Sequence, residues 1–343
     1  MTFQKNIAGL KKRNKYKIIL DKFLEKIRPN LKNNNFFYYQ VDLKIFKFNI
    51  VIDKDSHYLE ALTAFYNIKK IKYLDKNFTI FCIDDLFIKK YKSLISLEKF
   101  KTYKKDFQNL TKYKINLVDF SNQDNRLRYL NLKKNFGLLY VNNFKKLPKW
   151  NICAHFRLFI HILALKYKSI QLHGSSILYK KKGIVILGDG GAGKSTSTIN
   201  AIQFYNANTV GDDYFLFCSK TLKVFPIYRT IKFKNKQSKT ITFLKNYKSV
   251  SGEKGKNVYY CNTSKKKGVI INNFFINKIV ILTKKNKVNF FDLIKSTMLQ
   301  VPYWPDKTIK VLVSIFKKYE YQIVNIKYGK KLYLENLKKI LSI

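Results

Sequence analysis

One short run of the sequence combines glycines with a lysine and a hydroxyl at a spacing that suits phosphate binding. It fits the pattern GxxxxGK[ST] and comprises Gly188, Asp189, Gly190, Gly191, Ala192, Gly193, Lys194, Ser195 and Thr196. Glycines let successive backbone N–H groups turn inward and form a nest for an anion. The Lys194 ammonium would reach the β- and γ-phosphates of a nucleotide, and the Ser195 hydroxyl would ligate Mg²⁺. The run therefore predicts ATP and Mg²⁺ as cofactors.

The residues on either side of this run have the order that phosphate binding requires. Gly183–Leu187 (GIVIL) is an apolar strand that enters the loop, and Ser195–Tyr205 has the pattern of a helix that leaves it. The positive N-terminal end of such a helix points at the bound phosphates. The alternative is a Gly-rich strand-to-helix turn with a solvated lysine, and the agreement of motif and context argues against it.

Acidic residues are so scarce in the middle of the chain that each one becomes a candidate for chemistry. Over residues 126–251 the acids are Asp189, Asp212 and Asp213. Asp189 is expected to be an exposed acid of the loop, whereas the other two stand at the start of a predicted strand, Thr209–Phe217. One of the pair could hold Mg²⁺ while the other accepts a proton from an attacking hydroxyl. The alternative is an ordinary polar strand entrance.

The backbone of the aspartate pair decides whether both carboxylates can serve one site. Adjacent residues of an extended strand point to opposite faces, so a regular strand would separate Asp212 from Asp213. At a strand entrance beside Gly211 the backbone can depart from that geometry. We therefore expect an irregular start to this strand.

Three runs together resemble the nucleotide-binding core of the HPr kinase/phosphorylase family, which is related in fold to the phosphoenolpyruvate carboxykinases. They are Leu172–Ser176 (LHGSS), residues 183–196 (GIVILGDGGAGKST) and Val210–Asp213 (VGDD). Thr196 matches the HPr kinase-like relatives, which tend to have GKST in the loop. The similarity covers about residues 152–343.

Two later stretches also resemble these relatives. One is FPIYRTIKF, with Pro226, Arg229 and Lys232, and the other is Tyr321–Leu341, which is similar to their closing strand and helix. The Lys-rich segment 231–267 stands where HPr kinase itself has a second Gly-rich signature, so the resemblance does not extend to HPr as the substrate.

The resemblance implies a fold and a division of roles. The fold is α/β, a mixed sheet with flanking helices in a phosphoenolpyruvate carboxykinase/HPr kinase-like P-loop core, preceded by an N-terminal α+β region. Lys194 and Ser195 would bind nucleotide and Mg²⁺, and Asp212 and Asp213 would divide metal and base duties. His173 would tune one of the aspartates by hydrogen bonding.

The chemistry of two further residues allows either a functional or a structural role. A histidine such as His173, followed by glycine near a phosphate site, can hold a proton near neutral pH, but a lone histidine is often structural. Arg229 could clamp a phosphate or an acidic substrate bidentately, or it is an exposed cation.

The chain carries a formal net charge of +47, from 68 Lys+Arg against 21 Asp+Glu in 343 residues. Such a charge suits an anionic partner such as nucleic acid. Nucleic-acid readers rely on arginine, however, and this chain has few: Arg13, Arg28, Arg126, Arg128, Arg157 and Arg229. The abundance of Lys, Asn, Ile, Phe and Tyr and the shortage of Pro and Gly favour genome composition bias as the source of the charge.

A content of 46% hydrophobic and 16% aromatic residues excludes a disordered chain. Residues 1–17 lack an apolar run of signal-peptide length, and charged and histidine side chains interrupt the apolar stretch Trp150–Leu165. We expect a cytoplasmic protein without a membrane span. Its cysteines lie far apart and should be reduced and buried: Cys82, Cys153, Cys218 and Cys261.

The Pro and turn formers of Asn142–Trp150 predict a boundary between two domains, an α+β region of unknown role over residues 1–150 and a second domain over 151–343, which the resemblance implies is a kinase domain. Predicted helices are Tyr16–Ile27, one of about four turns through Ile152–Leu163, and Leu332–Leu341. Predicted strands outside the motifs are Val41–Ile52, Phe78–Ile83, Gly137–Val141, Ile170–Tyr179 and Ile279–Leu282. The segment 231–267, with eleven Lys and one acid, is expected to be a surface excursion.

These residues predict a kinase that transfers the γ-phosphate of ATP to a hydroxyl, on a Ser of a protein or peptide or on a small molecule. One alternative is a P-loop NTPase that binds nucleic acid through its lysines. It would show aromatic platforms beside basic residues and a separate strand ending in an acid. Another is a module that binds ATP without transferring phosphate. A homo-oligomer stays open in each case.

Overall fold

The computed structural model describes residues 25, 35–90, 116–121, 126–141, 156–234, 248–251, 256–260, 269–283, 309–310, 312–314, 317, 321–325 and 330–341. These residues form a mixed α/β structure with four β-sheets. The chain divides into two compact units, residues 1–41, 48–60 and 69–147, and residues 42–47, 61–68 and 148–343. The predicted helix Tyr16–Ile27 (apart from residue 25) and the predicted boundary Asn142–Trp150 lie outside the described residues.

A seven-stranded sheet dominates the N-terminal half, with the strand order β3-β1-β2-β4-β7-β6-β5. Its three middle strands β2, β4 and β7 are parallel, and β7, β6 and β5 are joined as antiparallel neighbours. The strands are β1 (Phe36–Asp42), β2 (Lys47–Asp53), β3 (Ile68–Ile71), β4 (Phe78–Ile83), β5 (Asn116–Ser121), β6 (Arg126–Asn131) and β7 (Phe136–Val141); the short helices are α1 (Tyr58–Leu62) and α2 (Asp85–Lys90). The predicted strands Phe78–Ile83 and Gly137–Val141 are confirmed, whereas Val41–Ile52 is two strands.

The C-terminal unit is built on two four-stranded sheets. The central sheet has the order β18-β17-β10-β9 and the second sheet the order β16-β12-β11-β8. The elements in chain order are α3 (Arg157–Lys166), β8 (Ser169–His173), β9 (Ser175–Tyr179), β10 (Lys182–Gly188), α4 (Lys194–Tyr205), β11 (Tyr214–Cys218), β12 (Lys223–Pro226), β13 (Thr230–Lys234), β14 (Lys248–Ser251), β15 (Lys256–Tyr260), β16 (Phe274–Phe275), β17 (Lys278–Thr283), β18 (Tyr321–Asn325) and α5 (Lys330–Leu341).

The alternation of apolar side chains explains why the central sheet is covered on both faces. Val185 and Leu187 of β10 join a buried cluster with Phe215 and Phe217 of the second sheet. The intervening Ile184 and Ile186 join another cluster, which includes Ala201 of α4 together with Leu337, Ile340 and Leu341 of α5. The central sheet therefore packs between the second sheet and the two helices.

The predicted strand Ile170–Tyr179 is two strands, because the chain is broken at Gly174. Its first half, β8, pairs with β11 in the second sheet, and its second half, β9, pairs with β10 in the central sheet. A Cβ atom at Gly174 would lie 2.8 Å from the Ile186 carbonyl oxygen, so only glycine fits where the chain crosses from one sheet to the other.

The helix predicted over Ser195–Tyr205, the strand Ile279–Leu282 and the closing helix Leu332–Leu341 are confirmed with small shifts of their ends. The helix predicted from Ile152 begins at Arg157 in the described residues. The described parts of the expected surface excursion over 231–267 have regular structure that was not predicted. They form a three-stranded antiparallel sheet in the order β13-β15-β14.

Candidate functional site

The Gly-rich loop connects a buried strand to a helix of twelve residues. Strand β10 is buried from Gly183 to Gly188, whereas Asp189, Gly190 and Gly191 are exposed. Gly191 and Gly193 have φ angles of 81° and 94°, which side chains with a Cβ rarely adopt. The glycines are thus needed for the backbone path of this loop.

Among the described residues, no side chain caps the start of α4. Gly193 is the N-cap residue and makes no side-chain cap hydrogen bond, and the first turn carries no acidic residue. Its N–H groups and helix dipole therefore favour an anion. Lys194 is buried, and its Nζ donates to the carbonyl oxygens of Gly188 at 2.7 Å and Asp189 at 3.0 Å. The Lys194 ammonium therefore links the start of α4 to the beginning of the loop.

The aspartate pair lies on a turn next to the first residues of α4. The strand predicted from Thr209 begins only at Tyr214, so the pair precedes β11 in a bend. The hydroxyl of Ser195 donates to the Asp212 carbonyl oxygen at 3.3 Å. This contact joins the loop's serine to the aspartate turn, and the irregular backbone lets both aspartates line one pocket.

Asp212 is 1% exposed, and its two carboxylate oxygens differ in their surroundings. Oδ2 accepts a hydrogen bond from the backbone N–H of Lys232 at 2.9 Å, while Oδ1 has no hydrogen-bond partner among the described residues. Burial, followed by the charge of Asp213, raises the pKa of Asp212 to about 7. This carboxyl group is therefore placed to exchange a proton near neutral pH.

Asp213 is held by two cationic or protonatable side chains. Its Oδ2 accepts from the Lys232 ammonium, and its Oδ1 lies 3.4 Å from His173 Nε2. Burial alone would raise the pKa of Asp213, but Lys232 and then His173 outweigh it and hold the pKa well below its usual range. The pKa of Asp213 is therefore lowered, whereas the pKa of the neighbouring Asp212 is raised.

A buried network of hydroxyl groups fixes the turn that carries the pair. Ser176 Oγ lies 3.1 Å from Thr209 Oγ1 and accepts from the backbone N–H of Val210 at 3.0 Å. Thr209 Oγ1 accepts from the N–H of Gly211 at 2.9 Å. The neighbouring Ser175 donates to the Lys194 carbonyl oxygen at 3.2 Å. The start of β9 therefore ties the aspartate turn and the start of α4 together.

An open pocket adjoins the pair. It is lined by Gly211, Asp212, Asp213, Tyr214, Tyr228, Thr230 and Lys232. Arg229 is absent from this lining, because side chains alternate along the extended segment 228–232. Its Nε donates instead to the Thr63 carbonyl oxygen at 2.5 Å. The structure thus brings together the other predicted site residues but directs Arg229 elsewhere.

Two residues at the site were not assigned a role from the sequence. Lys232 contacts both aspartates, and its spacing of two from Thr230 along β13 is the signal that places it on the pocket side. Arg157 is 5% exposed and donates to the Tyr214 hydroxyl at 2.8 Å. Arg157 could have been found from the sequence, because it stands on the apolar face of a predicted helix and arginine is rare in this chain.

Within the described ranges, no group of three or more His, Cys, Asp or Glu is arranged to hold a metal ion. The same part of the chain contains no helix with the length and apolar character needed to cross a bilayer. Cys82 and Cys218 are buried free thiols, as predicted, and Cys153 and Cys261 lie outside the described residues.

No family model matches the sequence, and no curated protein matches it. Among solved structures, the HPr(Ser) kinase/phosphatase from Coxiella burnetii is similar over 50% of this chain and 88% of its own, with a TM-score of 0.25 and 14% sequence identity. A likeness at this level carries no argument about the fold or the function of this chain.

Proposed function

We propose that the chain is an ATP- and Mg²⁺-dependent kinase that transfers the γ-phosphate to a hydroxyl group. The observation that carries the proposal is the meeting of the Gly-rich loop and the aspartate pair at the Ser195–Asp212 contact. This contact places the Gly-rich loop and a helix start without an acidic first turn beside a buried carboxylate oxygen that has no hydrogen-bond partner among the described residues. Phosphoryl transfer needs this combination of phosphate binding, metal binding and a base.

The residues present fit a magnesium ion. Mg²⁺ prefers hard oxygen ligands and usually keeps substrate phosphates and waters as further ligands, so a three-carboxylate cluster is not required. The hydroxyl of Ser195 and the ionised carboxylate of Asp213 would supply protein oxygens, which leaves the buried Oδ1 of Asp212 for proton transfer. When bound, Mg²⁺ would neutralise charge on the phosphates.

Backbone groups and side chains of this chain would carry out the remaining steps. Backbone N–H groups of the Gly-rich loop and of the start of α4, up to Thr196, would bind the phosphates. Lys194 would exchange its two loop carbonyls for phosphate oxygens and stabilise the transferring group.

Asp212 is the candidate proton acceptor, because Asp213 is already held as an anion by Lys232 and His173. The acceptor oxygen would form a bond to the γ-phosphorus while the bond to the bridging oxygen of ADP breaks. The hydroxyl proton would pass to Asp212 Oδ1, and ADP would leave.

The open pocket beside the pair is the proposed entry for the acceptor hydroxyl, because both aspartates line it. A Ser on a protein or peptide would enter it as one side chain. The tyrosines and Thr230 that line it would contact that group.

Radiolabel transfer from [γ-³²P]ATP, measured in parallel with thermal unfolding, tests this function. The full chain would be mixed with Mg²⁺ and a heat-treated lysate of the source organism, in which other kinases are inactive. We expect labelling of one acceptor and a rise in Tm with Mg·ATP. Lys194→Ala should abolish both, and Lys220→Ala, which removes an exposed lysine, should change neither.

The two measurements separate the alternatives. A Tm shift that depends on Lys194 without any labelled acceptor would favour an ATP-binding module over a kinase. Labelling and Tm shifts that are equal in wild type and Lys194→Ala would refute the nucleotide site altogether.

A further inference from the structure

Lys232 makes a separate contact with each member of the aspartate pair. Its backbone N–H donates to Asp212 Oδ2 at 2.9 Å, and its ammonium donates to Asp213 Oδ2. The ammonium also lies 5.6 Å from the centre of the Tyr214 ring. The side chain is 16% exposed, which is unusual for a lysine and indicates a fixed position.

The strand that carries Lys232 is itself held in place. Within the three-stranded antiparallel sheet, β13 pairs with β15, and Lys232 stands opposite Val258. Strand β13 also packs against α4, the helix that follows the Gly-rich loop. Lys232 therefore reaches the aspartate turn from a separate strand, β13, and not from the turn itself.

We propose that Lys232 is a positioning residue that fixes both carboxylates of the Asp212–Asp213 pair for phosphoryl transfer, acting through Asp213 with its side chain and through Asp212 with its backbone. This inference rests on the proposed function. A lysine that instead contacted the transferred phosphate would work independently of Asp213, and that difference can be measured.

A double-mutant cycle on ATP hydrolysis by the full chain, with water as the acceptor, tests the inference. Lys232→Met keeps the backbone bond to Asp212 and removes the ammonium. We expect kcat to fall about 100-fold, as misplaced catalytic groups do, while the KM for Mg·ATP stays unchanged. In an Asp213→Asn background, Lys232→Met should lower kcat less than about 3-fold, because the carboxylate that the Lys232 ammonium contacts is already gone.

Two further variants control for charge and for packing. Lys232→Arg keeps a cation within reach of Asp213 and should recover part of kcat. Lys223→Met removes another partly buried ammonium, which lies 4.5 Å from the centre of the Phe275 ring, and should leave kcat unchanged. An equal loss of kcat for Lys232→Met in wild type and in Asp213→Asn would overturn the positioning role.

Thermal unfolding of the same four proteins of the cycle distinguishes failure of this inference from failure of the proposed function. If wild type neither labels an acceptor nor hydrolyses ATP, the kinase proposal fails. Lys232→Met should nevertheless lower Tm in wild type more than in Asp213→Asn. Additive Tm changes would show that Lys232 does not hold the pair.

Discussion

At the scale of single residues, Asp212 and Asp213 show how neighbours in sequence acquire different chemistry. Asp213 gains Lys232 and His173, whereas Asp212 gains one backbone N–H and is otherwise buried. Burial without a cation penalises the charged form, so Asp212 keeps its proton to a higher pH. This difference gives the pocket one ionised carboxylate and one carboxyl group whose pKa lies near neutral.

Replacement of Asp212 by Asn should stabilise the protein at neutral pH. The folded pKa of about 7 lies above the ordinary value of 3.8, so between these values the folded state binds a proton that the unfolded chain has lost. Stability therefore falls as pH rises from about 4 to about 7, with a total on the order of a few kcal/mol. Asn carries no charge and escapes this loss.

Thermal unfolding from pH 4 to pH 8 without ATP measures this effect. The Tm of Asp212→Asn minus that of wild type should grow with pH up to about 7 and then remain constant. Asp189→Asn, which replaces an exposed acid of the neighbouring loop, is the control and should follow wild type. A Tm difference that does not vary with pH would contradict the assignment.

The sequence located the candidate site at this scale but not its partners. The GxxxxGK[ST] pattern and the scarcity of acids pointed to Lys194, Ser195, Asp212 and Asp213, which the structure gathers around one loop and turn. Lys232 is far along the chain, and its role follows from which face of β13 meets the turn. Arg229 differs from it because alternation along an extended backbone turns it toward Thr63.

At the scale of elements, local patterns predicted where helices and strands occur but not where they are interrupted. Strand β10 and helix α4 follow directly from apolar periodicity. The break at Gly174 depends on a close approach to Ile186, which lies on another strand. The late start of β11 likewise depends on the Ser176 hydroxyl from β9, which takes the N–H of Val210.

The hydroxyl network at this turn should behave as one cooperative unit. Ser176→Ala and Thr209→Val each remove a buried hydroxyl that serves backbone groups of the turn, and each should cost about 1–3 kcal/mol of the free energy of unfolding. The double variant should cost less than the sum, because both hydroxyls belong to the same network. Urea unfolding of the four proteins measures the coupling.

A matched substitution shows whether the coupling is specific. Ser169→Ala also removes a buried serine hydroxyl, one that donates to the Tyr167 carbonyl oxygen, and it should add to Thr209→Val without coupling. Strictly additive losses for Ser176→Ala and Thr209→Val would mean that each hydroxyl acts alone on the turn.

At the scale of the whole molecule, the charge serves mainly as a background against which a few carboxylates stand out. Even if every acid paired with one cation, 47 cations would remain in excess. Three of the six arginines, Arg126, Arg128 and Arg157, are buried, and the other 62 of the 68 cations are lysines. The excess charge is therefore carried by lysine, and it acts on the folded chain mainly as self-repulsion.

This self-repulsion predicts that salt stabilises the protein. The folded state brings like charges closer than the unfolded chain does. Added salt weakens this repulsion, because it shortens the distance over which charges interact. We expect Tm to rise steadily as NaCl increases from about 10 mM to about 500 mM. If oppositely charged pairs outweighed the repulsion, Tm would instead fall over the same range, and differential scanning calorimetry separates the two outcomes. The same titration with Lys220→Glu, which lowers the net charge at an exposed position, should show a weaker dependence, because two units of the repelling charge have been removed.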